Sequence, residues 1–187
     1  MTKTVRPPIV RIADLFAVPE DLPSRITAPL RRMAPEQWSL RMAELLPVLL
    51  RADILEAELR DPERMRRWAT LVHIVAVLSG TTNDRAHAAE QSAGAALHQA
   101  GYSEARLSKL LAAREDTLRD QVAHLARFLR AKGVYPLDLR PLADLVLNEG
   151  RNDARAETAR LSIARSYYAT ADRAARNQDR AAREDTE

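Results

Sequence analysis

The feature that most restricts this chain is the leucine spacing between residues 102 and 132. Leu107, Leu110 and Leu111, then Leu118, Val122, Leu125 and Leu129, recur at intervals of three and four. Those intervals build a continuous apolar stripe on one side of an α-helix and would scatter the same residues over both faces of a strand. Two amphipathic helices follow for this segment. Basic side chains flank the stripe: Arg106 and Lys109 stand one turn apart in the first helix, and Arg119, Arg127 and Arg130 fall within about 80° of one another in the second. The stretch reads as a scaffold with a cationic flank and contains no recognisable reaction centre.

The rest of the chain extends this pattern. Apolar residues make up 46% of the sequence but aromatic ones only 4%, so leucine and alanine must supply most of the packing. With five glycines and no useful alternation of β-branched and polar residues, the expectation is an all-α protein of two small packed helical bundles, about seven to nine helices in all. Residues 1–24, with Pro7, Pro8, Pro19 and Pro23, read as an extended leader with one short turn around 12–16. Residues 25–99 read as an N-terminal helical domain and 100–171 as a C-terminal one. The boundary falls within 94–102, a stretch equally compatible with an ordinary interhelical turn.

Inside the first domain, Pro35 suits the first position of a helix carrying Trp38, Met42, Leu45 and Leu49, in which Pro47 forces a kink or a break. Asp61 and Pro62 open a helix over 63–78, residues 79–83 form a loop, and Asn83 or Asp84 can cap a helix running to Gln99. Ser103 is placed to cap the Arg106 helix and Gly133 to end the next one. Residues 172–187 alternate Arg with acids and carry no large apolar anchor, so a frayed tail is expected there.

Chemistry is sparse. Without cysteine there is neither a disulfide nor a thiolate metal site. His73, set among Leu71, Val72, Ile74 and Val75, reads as a hydrogen-bonded core or groove histidine. His87, Glu90 and His98 share helical spacing but lack an HExxH pair or a second ligand cluster, and His124 falls on an exposed side. Nucleophile elbows, glycine-rich phosphate loops and dinucleotide fingerprints are missing from the sequence. The expectation is no catalytic residue, no cofactor, no metal and no small-molecule substrate. No apolar run approaches 18 residues and no signal peptide is evident, so a cytoplasmic location without a membrane partner is expected.

The basic groups carry more. There are 29 Lys and Arg against 26 acids, and only three of the 29 are Lys. Arg presents a planar fork of donors suited to phosphate. Arg31 and Arg32 lie in a short segment bracketed by prolines. Arg64, Arg66 and Arg67 open the Trp68 helix, at the end where the macrodipole disfavours cations and an outside anion would be welcome. The candidate contacts to a nucleic-acid backbone are Arg31, Arg32, Arg64, Arg67, Arg106, Lys109, Arg119, Arg127 and Arg130. Ordinary solvated helix faces explain the same rows, as does a helical adaptor or structural protein without nucleic-acid contact, or a helix-turn-helix regulator.

Several motifs together match a known pattern. Gly94-Ala95-Ala96-Leu97, the run from Gly101 through Tyr102, Ser103, Arg106 and Lys109 to Leu111, the leucine helix to Leu129, and Ser162-Ile163-Ala164-Arg165-Ser166-Tyr167-Tyr168 resemble the CasB family, the small subunit of the type I-E CRISPR Cascade complex. Upstream, Arg25 with Leu30-Arg31-Arg32 is similar to that family's basic N-terminal element, and Trp68 with 71–78 to its central helix. The sequence departs from the pattern at two tryptophans, where it reads Ile163-Ala164-Arg165 and Leu147-Asn148. The resemblance implies an all-α, two-domain, non-catalytic subunit, generally present as two copies. It implies the other Cascade subunits as partners, a second copy of itself among them, together with guide RNA and target DNA backbone, and a role in holding DNA strands during R-loop formation. On matching positions it carries that role to Arg31, Arg32, Arg106, Lys109, Arg119, Arg127 and Arg130.

Overall fold

A computed structural model describes residues 6–184. Among them are ten α-helices and one 3₁₀ helix, and the only β feature is an isolated parallel bridge between His87 and Leu137. The all-α expectation holds. The helix count exceeds it because the N-terminal third is broken into short pieces.

The first correction concerns the leader. Residues 1–5 lie outside the described residues, but Pro8–Ala17 forms helix α1 rather than an extended strand of chain. Pro8 sits in the first helical turn, where its missing N–H has no intrahelical partner to lose. Ile9, Ile12, Ala13 and Phe16 then follow at helical spacing and are all buried. Helix α2 (Ser24–Arg32) buries Thr27 and Leu30 and tolerates Pro29. The 3₁₀ helix Pro35–Arg41 precedes α3 (Met42–Arg51), which runs through Pro47. The irregularity expected at Pro47 therefore falls earlier, at the 3₁₀-to-α junction, where Arg41 leaves helical backbone angles.

After α4 (Glu56–Leu59) comes the central element, α5 (Pro62–Ser79). Asp61 caps it, its carboxylate accepting from the Glu63 and Arg64 backbone N–H groups at 2.9 and 3.4 Å. From Arg67 to Ser79 every residue of α5 is buried, which is the signature of a helix enclosed on all sides. Its neighbours are α1, α2, the 3₁₀ helix, α3, α4, α8 (Glu115–Ala131) and α9 (Arg140–Asn148). On α8 the stripe Leu118, Val122, Leu125 and Leu129 is buried to the last residue, and each such side chain stabilises the fold by about 1.5–3 kcal/mol.

A second correction lies between α5 and α7 (Glu104–Ala112). The helix expected to reach back to Asn83 is confined to α6, Ala93–Gln99, capped by Ser92, whose hydroxyl accepts from the Ala95 N–H at 3.4 Å. The preceding residues 85–92 are strapped to 137–138 by backbone bonds from Ala88, Leu137 and Asp138. Ser103 does cap α7.

Helix α6, which the sequence assigns to the first domain, packs on α10 (Asp153–Glu184), the last helix. Gly94 is the reason the two can close: a Cβ there would overlap the Ile163 carbonyl, the Ser166 hydroxyl and the Tyr167 backbone nitrogen. The Tyr167 hydroxyl donates to the Tyr102 carbonyl at 2.6 Å, tying α10 to the turn before α7.

The third correction is at the far end. Residues 172–184 continue α10 without a break, with alanines and the Asp172–Arg176 pair one turn apart, where a frayed tail is expected. Residues 185–187 of that tail lie outside the described residues.

Candidate nucleic-acid interface

The nine sequence-selected cations divide into two groups with different surroundings. The first group is turned toward the protein's own acceptors, Arg67 and Arg119 at the seam of α5, α8 and α9 and Arg64 beside α4. Arg67 is 6% exposed. Its Nη1 donates to the carbonyl oxygens of Val146 (3.0 Å) and Glu149 (2.6 Å), and its Nε to Glu63 Oε1 at 3.2 Å. It closes the C-terminus of α9, where the last carbonyls have no helical partner.

Arg119, also 6% exposed, lies between Glu63 Oε1 at 2.8 Å and the Asp116 carboxylate. Arg64 pairs with Glu58 and with Asp61 (3.4 Å). Arg66 pairs with Asp116 at 3.4 Å. The cations at the start of α5 do meet anions, but the anions are the protein's own carboxylates. Arg64, Arg67 and Arg119 therefore hold elements together and have few donors left for a partner.

The second group opens outward. Arg31, Arg127 and Arg130 line one concavity of about 470 Å³ together with Val77, Gly80, Thr81 and Ala131. Arg31 comes from the last turn of α2, and its Nε donates to the Ala76 carbonyl at 3.3 Å. Burial, followed by the like charges of Arg130 and Arg32, pushes its pKa below the usual guanidinium value. Cations crowded in this way repel one another, and an anion placed among them relieves that repulsion.

Arg130 is the most constrained of the three. Its Nη1 donates to the Leu78 carbonyl (2.9 Å) and to Asp84 Oδ2 (2.7 Å), and its guanidinium lies 4.4 Å from the Tyr135 ring centroid. Gly80, at φ 62°, leaves the space this guanidinium occupies. Arg130 and Thr82 in turn hold the Asp84 carboxyl below its ordinary pKa. Arg127 is exposed, and its Nη2 reaches His73 Nε2 at 3.3 Å.

Beyond Arg127 the cationic surface continues around α8. Arg106 and Lys132 lie 5.6 and 5.9 Å from the centroid of the Phe128 ring, which is half-buried between them. Lys109 is exposed one turn beyond Arg106, and Arg32 is exposed beside Arg31. Among the described residues, no ion pair joins a carboxylate to Arg31, Arg32, Arg106, Lys109, Arg127 or Lys132.

The expected row of Arg119, Arg127 and Arg130 is thus split, with Arg119 joining the internal seam. Lys132 is the member that sequence reasoning missed. It stands four residues after Phe128, a spacing that puts both on one side of α8, but proximity to Gly133 marks it as a helix end.

The family model described as CRISPR-associated protein Cse2 matches residues 27–168, from α2 to α10. No curated protein and no solved structure matches the chain. Among the described residues, no three His, Asp or Glu side chains gather as a metal site, and no helix is long and apolar enough to cross a membrane. With the match covering most of the chain and running through both the central helix and the cation-lined face of α8, this protein belongs to the Cse2 (CasB) family of CRISPR-associated proteins.

Proposed function

We propose that this chain steadies the R-loop of the Cascade complex by gripping nucleic-acid backbone through Arg31, Arg32, Arg106, Lys109, Arg127 and Lys132, with Arg130 bracing the concavity that Arg31 and Arg127 line. The family is a non-catalytic one with its place among the Cascade subunits, so its contribution is binding rather than chemistry. The observation that carries the reading is the run of cations without carboxylate partners around the C-terminal half of α8, in contrast to the neutralised seam at its start. Exchange of a DNA duplex for an RNA–DNA hybrid is close to balanced, so a few phosphate contacts are enough to shift it. Such contacts recognise no sequence and depend on salt. The other Cascade subunits, a second copy of this chain, guide RNA and target DNA are the partners this role requires.

The test is R-loop lifetime in a reconstituted complex at several salt concentrations. Arg31→Ala with Arg127→Ala shortens the lifetime and flattens its salt dependence, and the slope of the logarithm of the binding constant against that of salt falls by about 0.7–0.9 for each phosphate no longer neutralised. An unchanged lifetime at every salt concentration refutes the reading.

A second reading, as an adaptor docking other proteins, draws on Leu40, Leu50 and Leu55, all well exposed around α3. Under that reading Leu40→Ser with Leu55→Ser releases the chain from the complex, while the arginine variants leave R-loop lifetime untouched.

A further inference from the structure

We propose that His73 is the positioning residue for Arg127: its neutral ring holds the guanidinium at the concavity, and protonation of the ring releases it. This rests on the reading that Arg127 contacts phosphate.

The geometry leaves one hydrogen arrangement. His73 Nδ1 lies 2.9 Å from the Leu30 carbonyl oxygen, which can only accept, so Nδ1 carries the proton. Nε2 faces Arg127 Nη2 at 3.3 Å, and a guanidinium can only donate, so Nε2 presents its lone pair. A relay results: Arg127 donates to His73, and His73 donates to Leu30. Since Leu30 precedes Arg31 in α2, the same imidazole fixes both walls of the concavity relative to α5. The ring is fully buried, so it has no water to substitute for either partner.

A second proton on this ring would place an N–H against the N–H of Arg127 and one positive charge beside another. The charged groups facing His73 are Arg127 from α8 and Glu36 from the 3₁₀ helix, and α2 contributes the Leu30 carbonyl. Burial first, then Arg127, lowers the histidine pKa, while the Leu30 bond and Glu36 oppose that. The neutral ring is therefore the working form at neutral pH, and acid drives Arg127 away from its seat.

The experiment compares R-loop lifetime in the reconstituted complex at pH 7.5 and through a series of lower values down past the ring's titration midpoint for wild type, Arg127→Ala, His73→Asn, His73→Gln and the Asn/Ala double variant. His73→Asn keeps an amide donor near the Nδ1 position for Leu30, while its carbonyl oxygen is too short to take the place of Nε2 opposite Arg127. It is expected to shorten the lifetime as Arg127→Ala does, roughly three- to tenfold, with the double variant no worse than either. His73→Gln supplies an acceptor that does not titrate. It is expected to keep the wild-type lifetime at pH 7.5 and to remove the histidine's share of the loss seen below the wild-type ring's own titration midpoint.

Nitrogen-15 imidazole shifts of the free chain give a readout independent of the complex: an Nδ1–H tautomer whose titration midpoint rises in Arg127→Ala. A wild-type lifetime in His73→Asn beside a shortened one in Arg127→Ala overturns the positioning role alone. So does a midpoint indifferent to Arg127. An Arg127→Ala complex indistinguishable from wild type at every salt concentration removes the phosphate contact and this inference with it.

Discussion

The guanidinium of Arg67, on the central helix, lies 2.6 Å from the carbonyl oxygen of Glu149, at the end of α9 and 82 residues further along the chain. One side chain thereby ends one helix and docks it onto another. Arg67→Ala leaves the Val146 and Glu149 carbonyls without this donor and Glu63 Oε1 with Arg119 alone. The expected loss is about 2–4 kcal/mol, read from urea denaturation, and Arg67→Lys recovers only part because an ammonium cannot span all three acceptors. R-loop salt dependence stays as in wild type, which separates this arginine from the outward group.

Gly94→Ala tests the crossing of α6 and α10. The added methyl meets backbone and a short hydroxyl rather than a flexible side-chain end, so the helices must separate. About 1–3 kcal/mol of stability is lost, and amide exchange accelerates first in α6 and in the facing part of α10.

Gly80→Ala tests the loop that Arg130 braces. An L side chain at φ 62° is strained and competes with the guanidinium for the same space. The substitution costs about 1–2 kcal/mol and frees Arg130 from Leu78 and Asp84. Faster proteolysis within 79–84, with helices otherwise intact by circular dichroism, is the expected result.

Acid sensitivity follows from two histidines. Burial lowers the pKa of His73 and of His87 below 6.5, the Asp138 carboxylate opposing this at His87. In the unfolded chain both titrate near the ordinary value. As pH falls through 6.5 the unfolded state takes up protons that the native state refuses, so stability declines, by up to about 1.4 kcal/mol per pH unit for each histidine. Above pH 7.5 neither contributes a pH dependence. Urea midpoints at pH 7.5, 6.5 and 5.5 measure the effect, and His73→Gln or His87→Gln flattens the profile.

Several features were legible in the residues because they depend on neighbours three and four positions away. The stripe from Leu107 to Leu129 folds as its spacing requires, and Ser103 and Asp61 cap the helices they precede. Helix α1 was hidden because Pro7 and Pro8 read as breakers, although a helix accepts proline in its first turn. Residues 85–92 carry helix-forming alanines but are claimed by a distant segment through the backbone bonds at 137–138. Local propensity has no knowledge of that competitor.

The arginines show the division most plainly. The chain alone determined that cations recur beside an apolar stripe, since helical periodicity puts Arg106, Arg119, Arg127 and Arg130 at its margin. Which of them remain available to a polyanion was decided only when α5, α8 and α9 met. Arg119 then fell between Glu63 and Asp116, Arg67 onto the end of α9, and Arg31 beside Arg127 and Arg130. The physical reason is that a guanidinium bonds whatever acceptor the fold brings within about 3 Å, and the deciding ones, Glu149 for Arg67, Glu63 for Arg119 and Asp84 for Arg130, lie 46 to 82 residues away along the chain.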